Sequence, residues 1–169
     1  KAEEIVDRVR SYAKAKQVPK AAVNLSMCVR QACASFTQNS KYAAVRLETS
    51  LPTDKPCQIM ASEMEIRLAV DNLIRNAAES LLSGNCSQPL IRVRLTSTSD
   101  SIVIRVTDNG AKLTDTDIER MKTPLSSSKS DGLGLGLSIV SGVAQSNGGK
   151  LMLKAREKGG LIAELSFPK

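Results

Sequence analysis

Three groups of residues in this 169-residue chain have types and spacings that can do chemistry. The first is Glu65, Asn72, Asn76 and Glu79. At about 100° per residue these four fall in one narrow sector of a helix. Asparagine disfavours a helix interior by roughly 0.6 kcal/mol against alanine, so two of them one turn apart invite a reason. Carbonyl and carboxylate oxygens on one helical face are the ligands Mg²⁺ takes. The same amides could also cap buried backbone or face water. The second group ends the segment Ile102-Val103-Ile104-Arg105-Val106-Thr107-Asp108. Strand alternation puts Ile102, Ile104, Val106 and Asp108 on one face, so the carboxylate points at the core edge. There it needs a hydrogen-bond donor, for which an exocyclic amine such as that of adenine is suitable. Asn109-Gly110 then makes a tight turn that lets backbone approach a ligand, or simply ends a strand. The third group is Asp131-Gly132-Leu133-Gly134-Leu135-Gly136-Leu137-Ser138. Glycines running into a helix N-terminus offer free N–H groups to an anion, most naturally a phosphate, or they serve as a hinge. Lys129 could add a mobile cation, or be an ordinary surface lysine.

The elements that must carry these groups are legible from periodicity. Helices are expected over 1–16, 26–38 with Ser26 as N-cap, 62–83, near 114–121, and 134–146. In the first, Ile5, Val6, Val9, Tyr12 and Ala13 make the apolar face; in the third, Ile66, Val70, Leu73, Ala77 and Leu81 mark the buried stripe. Strands are expected near 42–48 and 56–61, then over 90–97, 101–108, 150–156 and 161–167. This predicts an α/β chain: one mixed sheet with helices on one face and a ligand at the other face or at one end.

Composition narrows the function. The formal charge is +7, from 24 Lys and Arg against 17 Asp and Glu, but the basic residues are spread along the chain. Aromatics are only 2%, which leaves no base-stacking platform, so no nucleic-acid partner is expected. Four cysteines without a CxxC pair, and no histidine, give no zinc pattern and read as reduced thiols. The opening residues lack the apolar stretch of a signal peptide.

In order, these motifs resemble the Bergerat-fold ATPases, and specifically the catalytic domain of sensor histidine kinases. Asn72-Leu73-Ile74-Arg75-Asn76-Ala77-Ala78-Glu79 resembles that family's N box, and Asp108-Asn109-Gly110 the start of its first glycine box. Pro124-Leu125-Ser126-Ser127-Ser128-Lys129 stands at the F box and lid. Gly132-Leu133-Gly134-Leu135-Gly136-Leu137-Ser138-Ile139-Val140 resembles the second glycine box, and Asn147-Gly148-Gly149 follows at the expected distance. The likeness covers roughly 40–168. Ala2–Tyr12 resembles the end of the second dimerisation helix in kinases of the nitrogen-regulator and dicarboxylate-sensor type. Residues 1–20 then read as a remnant of that helix and its linker, and 21–169 as the catalytic domain. The absence of histidine is expected if the histidine box precedes Lys1.

The resemblance implies a two-layer sandwich with a mostly antiparallel sheet and a mobile ATP lid. It implies that Asn76 ligates Mg²⁺, that Asn72 and Glu79 lie at the ATP site, and that Asp108 takes the adenine amine beside Gly110. It implies that Lys129, Gly132, Leu133, Gly134, Leu135 and Gly136 surround the phosphates, with Ser127 and Ser128 in the lid. The implied reaction is transfer of the γ-phosphoryl of ATP to a histidine on a dimerisation domain outside this chain. The implied partners are that domain, a response regulator, and a second copy in the full-length protein. The implied location is a cytoplasmic domain of a sensor anchored in the bacterial inner membrane. Lys112 replaces the second glycine of the first glycine box, and Lys122 and Leu125 stand where F-box phenylalanines belong. These departures bear on lid closure and signalling more than on adenine and magnesium. They leave a degenerate scaffold domain as one alternative. A self-contained Bergerat ATPase is the other, but it would need a glutamate at Asn72, where an amide cannot act as a base.

Overall fold

A computed structural model of the chain describes residues 2–123 and 133–169. The elements run α1 (Ala2–Ala15), β1 (Ala21–Asn24), α2 (Leu25–Thr37), a 3-10 turn (Ser40–Tyr42), β2 (Arg46–Ser50), β3 (Gln58–Ala61) and α3 (Glu63–Ser83). They continue with β4 (Leu90–Ser97), β5 (Ser101–Asp108), α4 (Asp115–Lys122), α5 (Leu133–Ser146), β6 (Lys150–Ala155) and β7 (Leu161–Pro168).

Five strands form the main sheet in the order β2-β4-β5-β7-β6. Only β2 and β4 pair parallel; the other neighbours are antiparallel. Alternation gives the sheet one apolar face: Ile91, Val93, Leu95, Ile102, Ile104, Val106, Ala163, Leu165 and Phe167 are buried. They share one core with Leu25, Val29, Ile66, Val70, Leu73, Leu81, Val140 and Val143 from the helices on that face. The opposite face carries exposed Arg92, Arg94, Arg105, Lys150 and Lys154.

Local chemistry sets the bounds of α3. Ser62 Oγ accepts from the Glu65 N–H at 3.3 Å, Glu63 and Glu65 sit in the positively polarised first turn, and Gly84 closes the helix. A capping box between Thr114 and Asp117 starts α4.

The structure departs from the expected elements in four places. Asn24, not Ser26, caps α2, its Oδ1 accepting from the Met27 N–H at 3.3 Å. A short strand, β1, precedes that cap and pairs with β3 as a separate two-stranded sheet, so the strands do not form a single sheet. Four residues reading Ala-Ala-Val-Asn have no alternation to announce a strand; the pairing with β3 makes one. The strand expected at 42–48 begins at Arg46, because Asn39 caps the 3-10 turn and Tyr42 stacks on Phe36 with centroids 5.0 Å apart. Finally, α1 turns Val6 and Val9 to solvent, each 52% exposed, and buries Arg8 and Ala15 instead.

Candidate functional site

The polar sector of α3 is real and buried. Asn72 and Asn76 are 3% and 8% exposed. Asn72 spends its Nδ2 on the Leu68 carbonyl, 2.7 Å away and one turn back. That leaves its Oδ1 buried and without a hydrogen-bond partner, as are both Oδ1 and Nδ2 of Asn76 and Oε2 of Glu79. A buried polar atom left unpaired costs about 1–3 kcal/mol. Four such atoms along one helix face make it a candidate ligand site. Two of them, the Oδ1 atoms of Asn72 and Asn76, are amide oxygens of the kind Mg²⁺ takes as ligands. Glu65, in the same sector, does not join them. Its carboxylate takes Nδ2 of Asn147 at 2.9 Å and the Ser146 hydroxyl at 3.3 Å, tying α3 to the end of α5.

Asp108 ends β5 at 4% exposure, on the core face as alternation requires. Burial pushes its carboxyl above the usual aspartate range, while the backbone N–H groups of Gly110 and Leu161 and the nearby Arg156 charge pull it back. The Gly110 N–H donates to Oδ1 at 2.9 Å. Asn109 fixes the turn: its Oδ1 accepts from the Leu90 N–H, and its Nδ2 donates to the Gln88 carbonyl, both at 2.8 Å.

The β6–β7 hairpin clamps this turn from the other side, which the sequence reading did not anticipate. Arg156 Nη1 donates to the Asp108 carbonyl at 3.0 Å, and the Gly160 N–H donates to the Ala111 carbonyl at 2.9 Å. Gly159 and Gly160 have φ of +99° and +97°, and a methyl on Gly160 would run into the Asp108 carbonyl. A doubled glycine is ordinary in a hairpin turn, so the sequence carried no signal for this clamp.

Gly136 meets α3 directly. A methyl there would lie 2.7 Å from Asn76 Oδ1, so the glycine lets α5 close on the asparagine face. Leu133, Gly134 and Leu135 open α5, and their side chains are outside what is described. Ser127, Ser128, Lys129 and Gly132, together with the lid and F-box segment expected at 124–129, lie outside the described residues. Among the described residues no group of three or more His, Cys, Asp and Glu side chains could hold a metal. Any cation site here would therefore rest on the asparagine amide oxygens.

Comparison with known families decides what this arrangement belongs to. A family model described as "Histidine kinase-, DNA gyrase B-, and HSP90-like ATPase" matches residues 61–169, well over half of the chain. The chain belongs to this ATPase family. Among curated relatives, the C4-dicarboxylate transport sensor protein DctS of Rhodobacter capsulatus is 26% identical over 97% of this chain and 25% of its own length. The C4-dicarboxylate transport sensor protein DctB of Rhizobium meliloti is 32% identical over 71% of this chain and 18% of its own. The chain thus spans about a quarter, or less, of these relatives. Among solved structures, the catalytic domain of histidine kinase ThkA superposes with a TM-score of 0.76 at 21% identity, covering 90% of this chain and 97% of that one. The mycobacterial sensor histidine kinase MprB gives 0.74 at 19% identity, covering 88% and 97%. The two-layer, mainly antiparallel sandwich expected of the family is therefore the fold found. In this ATPase domain α3 carries the stretch that resembles the N box, and the Asp108 turn stands at the end of the central strand.

Proposed function

We propose that this domain binds Mg²⁺-ATP between α3, the Asp108 turn and the start of α5, and donates the γ-phosphoryl group to a histidine on another domain. The observation that carries this reading is the row of unpaired buried atoms on Asn72, Asn76 and Glu79. In it, Asp108 accepts from the adenine amine at a turn held rigid by Asn109, Gly110 and Arg156. Asn76 is the residue that would hold Mg²⁺, with Asn72 and Glu79 beside it. When bound, the ion neutralises charge on the phosphates and polarises the bond to be broken. Lys129, Gly132, Leu133, Gly134, Leu135, Gly136, Ser127 and Ser128 complete the phosphate side. The protein needs no base of its own, because imidazole is already a nucleophile and the remaining work is positioning.

On this reading residues 1–20 are the end of the second dimerisation helix with its linker, and 21–169 are the catalytic domain. The partners are the parent protein's histidine-bearing domain, a second copy through that domain, and a response regulator. The relatives named as sensors support such a setting, and a parent anchored in the inner membrane with this domain in the cytoplasm fits it. No helix among the described residues is long and apolar enough to cross a membrane.

Calorimetric titration with ATP, with and without Mg²⁺, tests the site. Magnesium-enhanced binding is expected, weakened at least about tenfold in Asp108→Asn, since one charged hydrogen bond is lost. Absence of binding by the folded, unaltered chain would overturn the proposal.

A further inference from the structure

The first helix buries a charged residue against α3 that no motif predicts. Most of α1 is solvated; its valines at 6 and 9 are exposed, yet the long charged side chain of Arg8 is only 7% exposed. Burying a guanidinium is costly and is tolerated where it meets carboxylates. Arg8 Nη2 lies 2.9 Å from Oε1 of Glu4, its neighbour one turn back on α1, and 3.6 Å from Oε1 of Glu79 on α3. The same Glu79 oxygen is 3.4 Å from the Tyr42 hydroxyl and 4.0 Å from the exposed ammonium of Lys41. Its other oxygen, Oε2, is the buried, unpaired atom that shares the polar face with Asn72 and Asn76. Glu4 is half exposed and can be served by water; Glu79, at 13% side-chain exposure and with Oε2 buried, is served far less.

Without Arg8, the carboxylate one helical turn beyond Asn76 would keep only the Tyr42 hydroxyl and the distant, exposed Lys41 ammonium, and would repel a polyphosphate brought to that face. The geometry points to Arg8 as a positioning residue of the nucleotide site, which from α1 neutralises Glu79 so that the polar face of α3 accepts a polyphosphate. This rests on the nucleotide reading of that face. Linkage makes the effect reciprocal: drawing α1 away weakens polyphosphate binding, and a bound polyphosphate holds α1 in place by the same factor.

The test is calorimetry with Mg²⁺-ATP, ADP and adenosine on the unaltered chain and on Arg8→Met, Arg8→Lys, Glu79→Gln and the double variant Arg8→Met with Glu79→Gln. Folding is checked by melting temperature. Arg8→Met is expected to weaken ATP about tenfold, ADP less and adenosine not at all, because the penalty scales with ligand charge. Arg8→Lys should stay near the unaltered chain, and Glu79→Gln should restore ATP affinity to Arg8→Met. Equal losses for all three ligands, no loss, or no restoration by Glu79→Gln would overturn the assignment. If Arg8→Met does not fold, Arg8→Lys and Glu79→Gln carry the test: Glu79→Gln should bind ATP at least as tightly as the unaltered chain, and the inference falls if it weakens ATP or if Arg8→Lys shifts ATP and adenosine alike. If the unaltered chain binds none of the ligands, the nucleotide reading itself falls.

Discussion

Asp108 combines two demands that pull against each other. Its ionised carboxylate has to accept a hydrogen bond from the ligand, but burial favours the protonated form and raises its pKa. Binding through Asp108 is therefore lost as pH falls through that raised pKa, sooner than for a solvated aspartate near about 3.9. ATP titrations at a series of pH values between neutrality and acid should show this early weakening. For folding the sign is reversed. The native state holds the proton more tightly than the unfolded chain, so the ionised group costs stability above its folded pKa, and the cost vanishes below about 3.9. Asp108→Asn is accordingly expected to keep or raise the melting temperature at pH 7 while abolishing tight nucleotide binding. A variant that binds poorly because it is unfolded would show the opposite, a clear fall in melting temperature. The carboxylate was legible in the sequence because three apolar residues alternate into it. Its clamp was not, since Arg156 lies 48 positions away and donates through its side chain to a backbone carbonyl.

Between elements, the tie from α3 to α5 is made by Asn147. Its Oδ1 accepts from the Ser62 N–H at 3.1 Å, and its Nδ2 donates to Glu65 and to the Val143 carbonyl, both at 2.9 Å. One buried amide thus satisfies the start of α3, a buried carboxylate and the end of α5. Asn147→Ala would leave Oε2 of Glu65, at 3% exposure, without its partner and the Ser62 N–H unpaired, and is expected to destabilise the fold by about 3 kcal/mol. Thermal unfolding should register this as a fall of roughly 10 °C in Tm. Helix periods and strand alternation revealed α3, β4, β5, α5 and β7 within a residue or two, because each has a long stripe on one side. They missed β1 and misplaced the cap of α2, where four residues take their form from a partner strand 37 positions on. Glu65 shows the same limit. Its place on the wheel was right, but only the fold reveals that Asn147 has claimed it.

At the scale of the whole molecule, charges dispersed in sequence are gathered by the sheet. Arg94 and Arg105 stand directly opposite each other across β4 and β5, and Arg105 leans to Glu164 at 2.5 Å on the next strand. The attachment of α1 is slight by comparison. Arg8 and Ala15 are its buried side chains among those described, with Tyr12 half-buried against Gly142 of α5 and the Ala15 carbonyl accepting from the Ser62 hydroxyl at 3.2 Å. Opening free energies follow buried apolar contact, so α1 amides should exchange with deuterium well before those of α3. Protection of α1 equal to that of α3 would show that it is part of the core. The parallel pairing of β2 with β4 has a consequence for how the molecule assembles. Between those strands runs the stretch 51–89, which holds β3 and the whole of α3, whereas β4 and β5 meet across a three-residue turn. Bringing distant strands together spends loop entropy before any contact rewards it. The β4–β5 hairpin and α3 can therefore form early and serve as a template, and β2 arrives as the late edge, with its losses felt mainly as faster unfolding.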